Sequence, residues 1–203
     1  MKILSLTEAS AVYTSNVYLL LGEWNTMDDV NTLVDVGRDV SVIDEINDAP
    51  TGVGKKRIEQ VVLTHCHYDH AEILPVIKKM FNPTVCAFSE FQKGIDVVLK
   101  DGQKVKMADH MFEVIHVPAH SNDSICLFCE EAGVLFAGDT ALDIKSPDVN
   151  CDPAFISVLQ RLCGKRINSI YFGHGKPMLN GCNEMLSRTL KNVTMYCKKE
   201  FFV

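Results

Sequence analysis

Long apolar runs are missing from this chain. The longest, Val17 to Leu21, is far too short to cross a bilayer, and no basic segment followed by an apolar stretch opens the sequence, so no membrane association is expected. A surplus of positive charge is missing as well. Twenty Lys and Arg stand against 26 Asp and Glu, for a formal net charge of −6. The basic clusters Lys55-Lys56-Arg57, Lys78-Lys79 and Lys198-Lys199 are short and separated, and so read as solvated faces rather than a phosphate-backbone footprint. No nucleic-acid partner is expected. The glycine pairs in Gly52-Val53-Gly54 and Gly173-His174-Gly175 lack the G-x-x-x-x-G-K spacing of a phosphate loop. Linkers, repeats and low-complexity tracts are absent too, which predicts a single domain over residues 1–203.

Apolar residues make up 47% of the 203 positions, enough to bury a core without a covalent staple. The 8 cysteines are therefore expected to be mostly buried thiols, in a cytoplasmic, reducing compartment. Cys126-Leu127-Phe128-Cys129 has C-x-x-C spacing, but residues three apart in a strand face opposite sides, so these thiols should not converge.

Apolar, β-branched runs predict strands at Lys2–Leu6, Val17–Leu21, Thr32–Val36, Gln60–Thr64 and Thr84–Phe88, with helices over Ser41–Asn47 and Ile73–Phe81. A short helical piece is expected after Phe88. An antiparallel region, turning at Asp101-Gly102, runs through Lys104–Met107 and Met111–Val117. Strands at Ser124–Cys129, Gly133–Ala137 and Ser169–Phe172 and helices at Pro153–Leu162 and Met185–Cys197 complete an α/β reading.

One segment carries the chemistry. His65-Cys66-His67-Tyr68-Asp69-His70 places three imidazoles and a carboxylate in six positions, a pattern that chance would give in roughly one chain of this composition in two thousand. In extended backbone His65 and His67 share a face, while Asp69 and His70 are expected in the loop before the next helix. Three further residues sit at strand ends, where scaffolds present chemistry: His120 after Val117-Pro118-Ala119, Asp139 in Gly138-Asp139-Thr140, and His174 in Gly173-His174-Gly175. Together these seven donors suffice for two zinc-like ions sharing a carboxylate. His110 and His116 fall outside any ligand spacing and are expected to be ordinary. Tyr13, Tyr68, Asn122, Lys145 and Lys176 lie near the donors in sequence, as candidates for a pocket wall or as plain surface groups.

In these motifs the chain resembles the metallo-β-lactamase fold superfamily along its whole length. The family's H-x-H-x-D-H is His65, His67, Asp69 and His70; Pro118-Ala119-His120-Ser121, Gly138-Asp139 and Gly173-His174-Gly175 match its later elements, and Val34-Asp35-Val36-Gly37 its early strand ending in Asp. The resemblance implies an αβ/βα four-layer sandwich. It also implies a first metal on His65, His67 and His120, a second on Asp69, His70 and His174, Asp139 bridging them, and Asp35 behind the ligands. The compact relatives of hydroxyacylglutathione hydrolase look closest, from the Gly-Asp-Thr element and Ser124-Ile125-Cys126-Leu127. Ala71-Glu72 and Asn122-Asp123 depart from the common family residues and predict an altered pocket wall.

The reading reached is a hydrolase that uses two divalent ions, zinc first, with iron or manganese accepted by the same donors. Hydroxide held between the ions would attack a small ester, thioester or lactone, and Asp69 would orient it or carry its proton. A small-molecule substrate is the expected partner, without a glutathione carrier, because no substrate-gripping helical region follows His174. A mononuclear-iron sulfur dioxygenase on His65, His120 and Asp139 is the alternative, and a non-catalytic metal-binding member the third.

Overall fold

A computed structural model describes residues 1–89, 92–145 and 151–200, of which 198–200 are described in backbone only. The first half builds a six-stranded sheet from β1 (Lys2–Ser5), β2 (Tyr18–Leu21), β3 (Thr32–Val34), β4 (Gln60–Val62), β5 (Thr84–Ala87) and β6 (Val97–Val98), ordered as in the chain. Its helices are α1 (Val42–Asp48), α2 (Tyr68–Ala71) and α3 (Leu74–Phe81). The second half builds a five-stranded sheet from β7 (Lys104–Met107), β8 (His110–His116), β9 (Ile125–Cys129), β10 (Val134–Gly138) and β11 (Ser169–Phe172), in the order β11-β10-β9-β8-β7. Helices α4 (Pro153–Cys163) and α5 (Cys182–Glu200) belong to it.

Strand alternation stacks these parts into four layers. On β2, Leu19 and Leu21 join the core shared with α1 and α3, whereas Tyr18 and Leu20 join the core between the sheets, as a period of two requires. On β9, Ile125, Leu127 and Cys129 face the first sheet while Cys126 and Phe128 face the layer of α4 and α5. The two C-x-x-C thiols thus lie on opposite faces, as expected. Both faces of these strands are covered, which is why they read as unbroken apolar runs. Each fully buried leucine or phenylalanine contributes about 1.5–3 kcal/mol. The αβ/βα sandwich expected from the motifs is the architecture observed.

Pairing directions aim the functional loops. β3 and β4 are parallel, and β8, β10 and β11 share one direction, since β9 is antiparallel to both β8 and β10 and β11 is parallel to β10. The Ile125 N–H donates to Thr64 O at 2.8 Å, tying the start of β9 to the end of β4. The carboxyl ends of all five strands therefore meet along one edge.

The structure departs from the sequence reading in several places. Asp69 and His70 lie inside a helical turn rather than a loop, because His67 O accepts from the N–H groups of His70 and Ala71. β4 stops at Val62, where the Thr64 N–H leaves the ladder for Asp35 Oδ1 at 2.7 Å. Residues 92–96 hold a turn and no helix, and positions 90 and 91 of the expected helical piece lie outside the described residues. α5 starts three residues early, at Cys182. Cys151 and Cys197 form a disulfide, where thiols were expected, and it joins the segment before α4 to α5. Among the described residues no helix is long and apolar enough to cross a membrane.

Candidate metal centre

Backbone geometry delivers the donors in two ways. Extended residues after β4 carry His65 and His67, and His67 caps α2 at φ −64° and ψ 152° before the chain coils to present Asp69 and His70. The second sheet supplies one residue per loop: His120 after β8, Asp139 after β10 and His174 after β11. The β10–β11 register shifts between Phe136 and Gly138, a bulge of the kind that re-aims the next side chain.

All seven residues marked in the sequence come together. They form two groups, His65 with His67 and His120, and Asp69 with His70, Asp139 and His174, with donor atoms in each group within 4.8 Å of one another. Asp139 lies between the groups. Its Oδ2 stands 3.9 Å from His65 Nε2, 3.6 Å from His120 Nε2 and 3.5 Å from His174 Nε2, and its Oδ1 lies 3.2 Å from His70 Nε2. Asp69 Oδ2 is 3.1 Å from His174 Nε2, and His120 Nε2 is 2.9 Å from His67 Nδ1.

Asp35 braces this assembly from beneath. It is buried, at φ +59°, and its Oδ2 accepts from His70 Nδ1 and from the Thr64 hydroxyl, both at 2.8 Å. That contact fixes the ring so that Nε2 faces Asp139. Thr64 itself was not singled out by the sequence, and nor was Asn16, whose Nδ2 donates to Phe172 O at 2.9 Å and Gly175 O at 2.8 Å. Thr64 directly precedes the histidine motif without a role assigned to it, and only the sheet order brings Asn16 to the His174 loop. Gly173 has to be small. A Cβ there would stand 2.1 Å from Asp139 Oδ1 and 2.7 Å from His70 Cε1.

Whether a cation fits is decided by atoms that have no other use. His65 Nε2, His70 Nε2, Asp139 Oδ1 and His174 Nε2 are buried without a hydrogen-bond partner, a costly state for polar groups unless an ion satisfies them. Burial, with the neighbouring His70 charge, pushes His65 down to about 4 and leaves it neutral, with a lone pair to give. Burial alone would also lower His70, yet Asp35 and Asp139 against its two nitrogens push it up to about 10. Burial would raise Asp139, and His70, whose Nε2 lies 3.2 Å from its Oδ1, holds it at about 2. A proton on His70 Nε2 thus stands where a cation would satisfy the Asp139 carboxylate. The donor set, nitrogen and oxygen only, suits divalent zinc, iron or manganese.

The surrounding candidates divide. Tyr13 stacks on the His174 ring, with centroids 5.3 Å apart at 13°. Tyr68 turns away beneath Arg38, and Lys145 pairs with Asp143 at 2.8 Å. Lys176 is exposed. His110 pairs with Asp109 at 2.6 Å, remote from the centre, and His116 stacks on Phe88 at 4.0 Å. A cavity of about 270 Å³ opens over the donors, lined by His120, Gly138, Asp139, Thr140, Phe172 and His174. A larger one, about 750 Å³, begins at Cys66, Asn122 and Asp123.

Comparison with known proteins agrees with this geometry. The family model of the metallo-beta-lactamase superfamily matches residues 11–179. A probable metallo-hydrolase of Methanocaldococcus jannaschii is 28% identical over 192 residues, covering 81% of this chain and 89% of that protein. An atrochrysone carboxyl ACP thioesterase of Aspergillus fumigatus is 28% identical over 178 residues, covering 82% of this chain but 42% of its own length. The chain likewise spans 38 to 48% of other curated relatives, a hydroxyacylglutathione hydrolase of Francisella tularensis among them. The crystal structure of ETHE1 from Myxococcus xanthus superposes with a TM-score of 0.70 at 17% identity, over 98% of this chain and 90% of that one.

Proposed function

The chain belongs to the metallo-β-lactamase superfamily, and from that premise we propose that it is a hydrolase holding two divalent ions, zinc foremost, that cleaves a small ester, thioester or lactone. The observation that carries this reading is the set of four buried, unpartnered donor atoms, Asp139 Oδ1 and the Nε2 atoms of His65, His70 and His174. His65, His67 and His120 would hold one ion, Asp69, His70 and His174 the other, and Asp139 both. Such ions supply a water-derived nucleophile near neutral pH, by lowering water's pKa from about 15.7 to about 7, and polarise the scissile carbonyl.

The chain's own groups do the rest. Asp69 Oδ2, 3.1 Å from His174 Nε2, is placed to take the nucleophile's proton and return it to the leaving group. Asp35 holds the proton on His70 Nδ1, so that Nε2 keeps a lone pair for the centre. Asp139 sets the separation of the two donor groups. No serine or cysteine nucleophile is required, and Cys66, between the two histidines, has its thiol pushed up by burial and by Asp123.

The names of the relatives, a metallo-hydrolase and thioesterases of acyl-carrier or glutathione substrates, support an acyl-transfer reaction to water. An iron dioxygenase using His65, His120 and Asp139 alone would leave His70 and His174 unsatisfied, so the two-ion reading is preferred. Elemental analysis after reconstitution with excess zinc tests it: two ions per chain together with thioester or lactone hydrolysis are expected. One iron per chain, with no second metal taken up, would overturn it.

A further inference from the structure

We propose that the 750 Å³ cavity beside the donors is a specificity groove that seats an uncharged aromatic or branched-alkyl arm of the substrate. This rests on the hydrolase reading and adds the substrate class. The groove is lined by Cys66, Phe88, Ser89, Gln92, Val98, Asn122 and Asp123. It lies against the segments that carry the first donor group: Cys66 falls between His65 and His67, and Asn122-Asp123 follow His120 by two and three residues.

The walls are held before any ligand arrives. Cys66 N–H donates to Asp123 Oδ2 at 3.0 Å, and Asp123 Oδ1 accepts from the Ser121 hydroxyl at 2.6 Å. His116 lies flat on Phe88, 4.0 Å and 7° from parallel, while its Nε2 meets Asn122 O at 2.9 Å and its backbone N–H donates to Asp101 Oδ1 at 2.9 Å. The histidine that matched no ligand spacing thereby fixes the pitch of the Phe88 ring, and a rigid aromatic wall lowers the ordering cost of binding. The volume falls in the usual range for small-ligand sites, about 300–1,000 Å³.

Charge chooses the occupant. Among the described residues that line the groove there is no Lys or Arg, and the charged group among them, the Asp123 carboxylate, is fixed by the bonds above. A carrier with carboxylates of its own would meet the like charge of Asp123, whereas Phe88, Val98 and Cys66 offer apolar surface. Gln92 and Asn122 leave room for one or two hydrogen bonds along the arm.

The test compares acetyl, phenylacetyl and 4-carboxyphenylacetyl thioesters of N-acetylcysteamine on the zinc-reconstituted chain, beside phenylacetamide as an inert ligand followed by ligand-observed NMR. In the wild type kcat/KM for phenylacetyl should exceed that for acetyl at least tenfold, and the carboxylated arm should lose at least tenfold. Val98→Trp, which fills the exposed end, should bring the phenylacetyl-to-acetyl ratio close to one and abolish phenylacetamide binding; Gln92→Trp provides the same block should Val98→Trp not fold. A wild-type ratio near one, or a ratio unchanged in both folded variants, overturns the groove. If neither these thioesters nor a matched ester and lactone are cleaved the hydrolase reading falls, yet phenylacetamide binding lost in Val98→Trp would still uphold the groove, and absence of binding in the wild type would remove it.

Discussion

The first sheet delivers four donor side chains from one continuous stretch, His65 to His70, whereas the second delivers three from three separate loops, His120, Asp139 and His174. The first contribution is local: extended backbone and one helical turn set the relative positions of its side chains. The second exists only when β8, β10 and β11 lie in register. The difference also runs through the supporting contacts. His70 has a buried carboxylate behind it, while His174 is held by a ring stack with exposed Tyr13 and by the grip of Asn16 on its loop. A centre built this way is anchored by one half of the molecule and completed by the other.

The sharpest way to break that comparison is to remove the residue shared by both donor groups. Asp139→Ala should lower kcat/KM about a thousandfold, about 4 kcal/mol of transition-state stabilisation, with metal content falling below two per chain. His110→Ala, remote and paired with Asp109, should stay within about twofold. Retention of more than a tenth of the activity in folded Asp139→Ala would mean that the two groups do not act as one centre.

A stability experiment probes the second half alone. The Cys151–Cys197 bond closes a sequence separation of 46, for which the chain-entropy relation gives up to about 4 kcal/mol. Cys151→Ser should therefore lower the denaturation midpoint. Alkylation in denaturant should label six thiols before reduction and eight after it. Eight labelled without reductant would show that no such bond forms.

Asp35→Asn tests the first half's anchoring. A carboxylate that orients a ligating histidine commonly accounts for ten- to a hundredfold in metal affinity, and competition with a chromogenic chelator would read that loss directly. An unchanged affinity would make Asp35 a packing residue of the Thr64 turn instead.

The smallest effect concerns the bond between layers in the second half. Glu113 on β8 accepts from Arg161 at 2.5 Å and from Lys165 at 2.9 Å. Burial would raise its pKa, but these two cations hold it below the ordinary carboxylate value. A depressed folded-state pKa stabilises above the unfolded value, about 4.3, and that contribution disappears as pH falls through the folded value. Glu113→Gln should thus cost about 1 kcal/mol at pH 7, and the two proteins should converge in urea melts as the pH falls below the depressed folded-state value. A gap that persisted in acid would trace the loss to packing rather than charge.

How much could be read beforehand follows the same division. His65, His67, Asp69 and His70 are legible because their spacing is the geometry. His120, Asp139 and His174 are each an unremarkable residue at a strand end, and only their order along a familiar motif series singles them out. Strands such as β2 and β9 announce themselves by apolar residues on both faces, but β6, two exposed valines, carries no pattern. Helix α2 escaped because one turn leaves no periodicity to detect. The Cys151–Cys197 pair could not be foreseen either, since proximity of those two positions depends on where α5 packs against the segment before α4. Thr64 and Asn16 belong to this class: their work is to bond elements distant in the chain, and sequence holds no local trace of it.

Asn16 has a further consequence, and it concerns time. Its backbone N–H reaches Gly173 O at 2.6 Å, its side chain holds Phe172 O and Gly175 O, and the hydroxyl of Tyr18 adds a bond to Phe172 O at 3.0 Å. During synthesis residues 16 and 18 emerge long before residue 174 and wait, with the donors of residues 65–70 already made, for the last strand to arrive. The clasp can close only when β11 docks, so His174 is the last of the seven donor side chains to take its place.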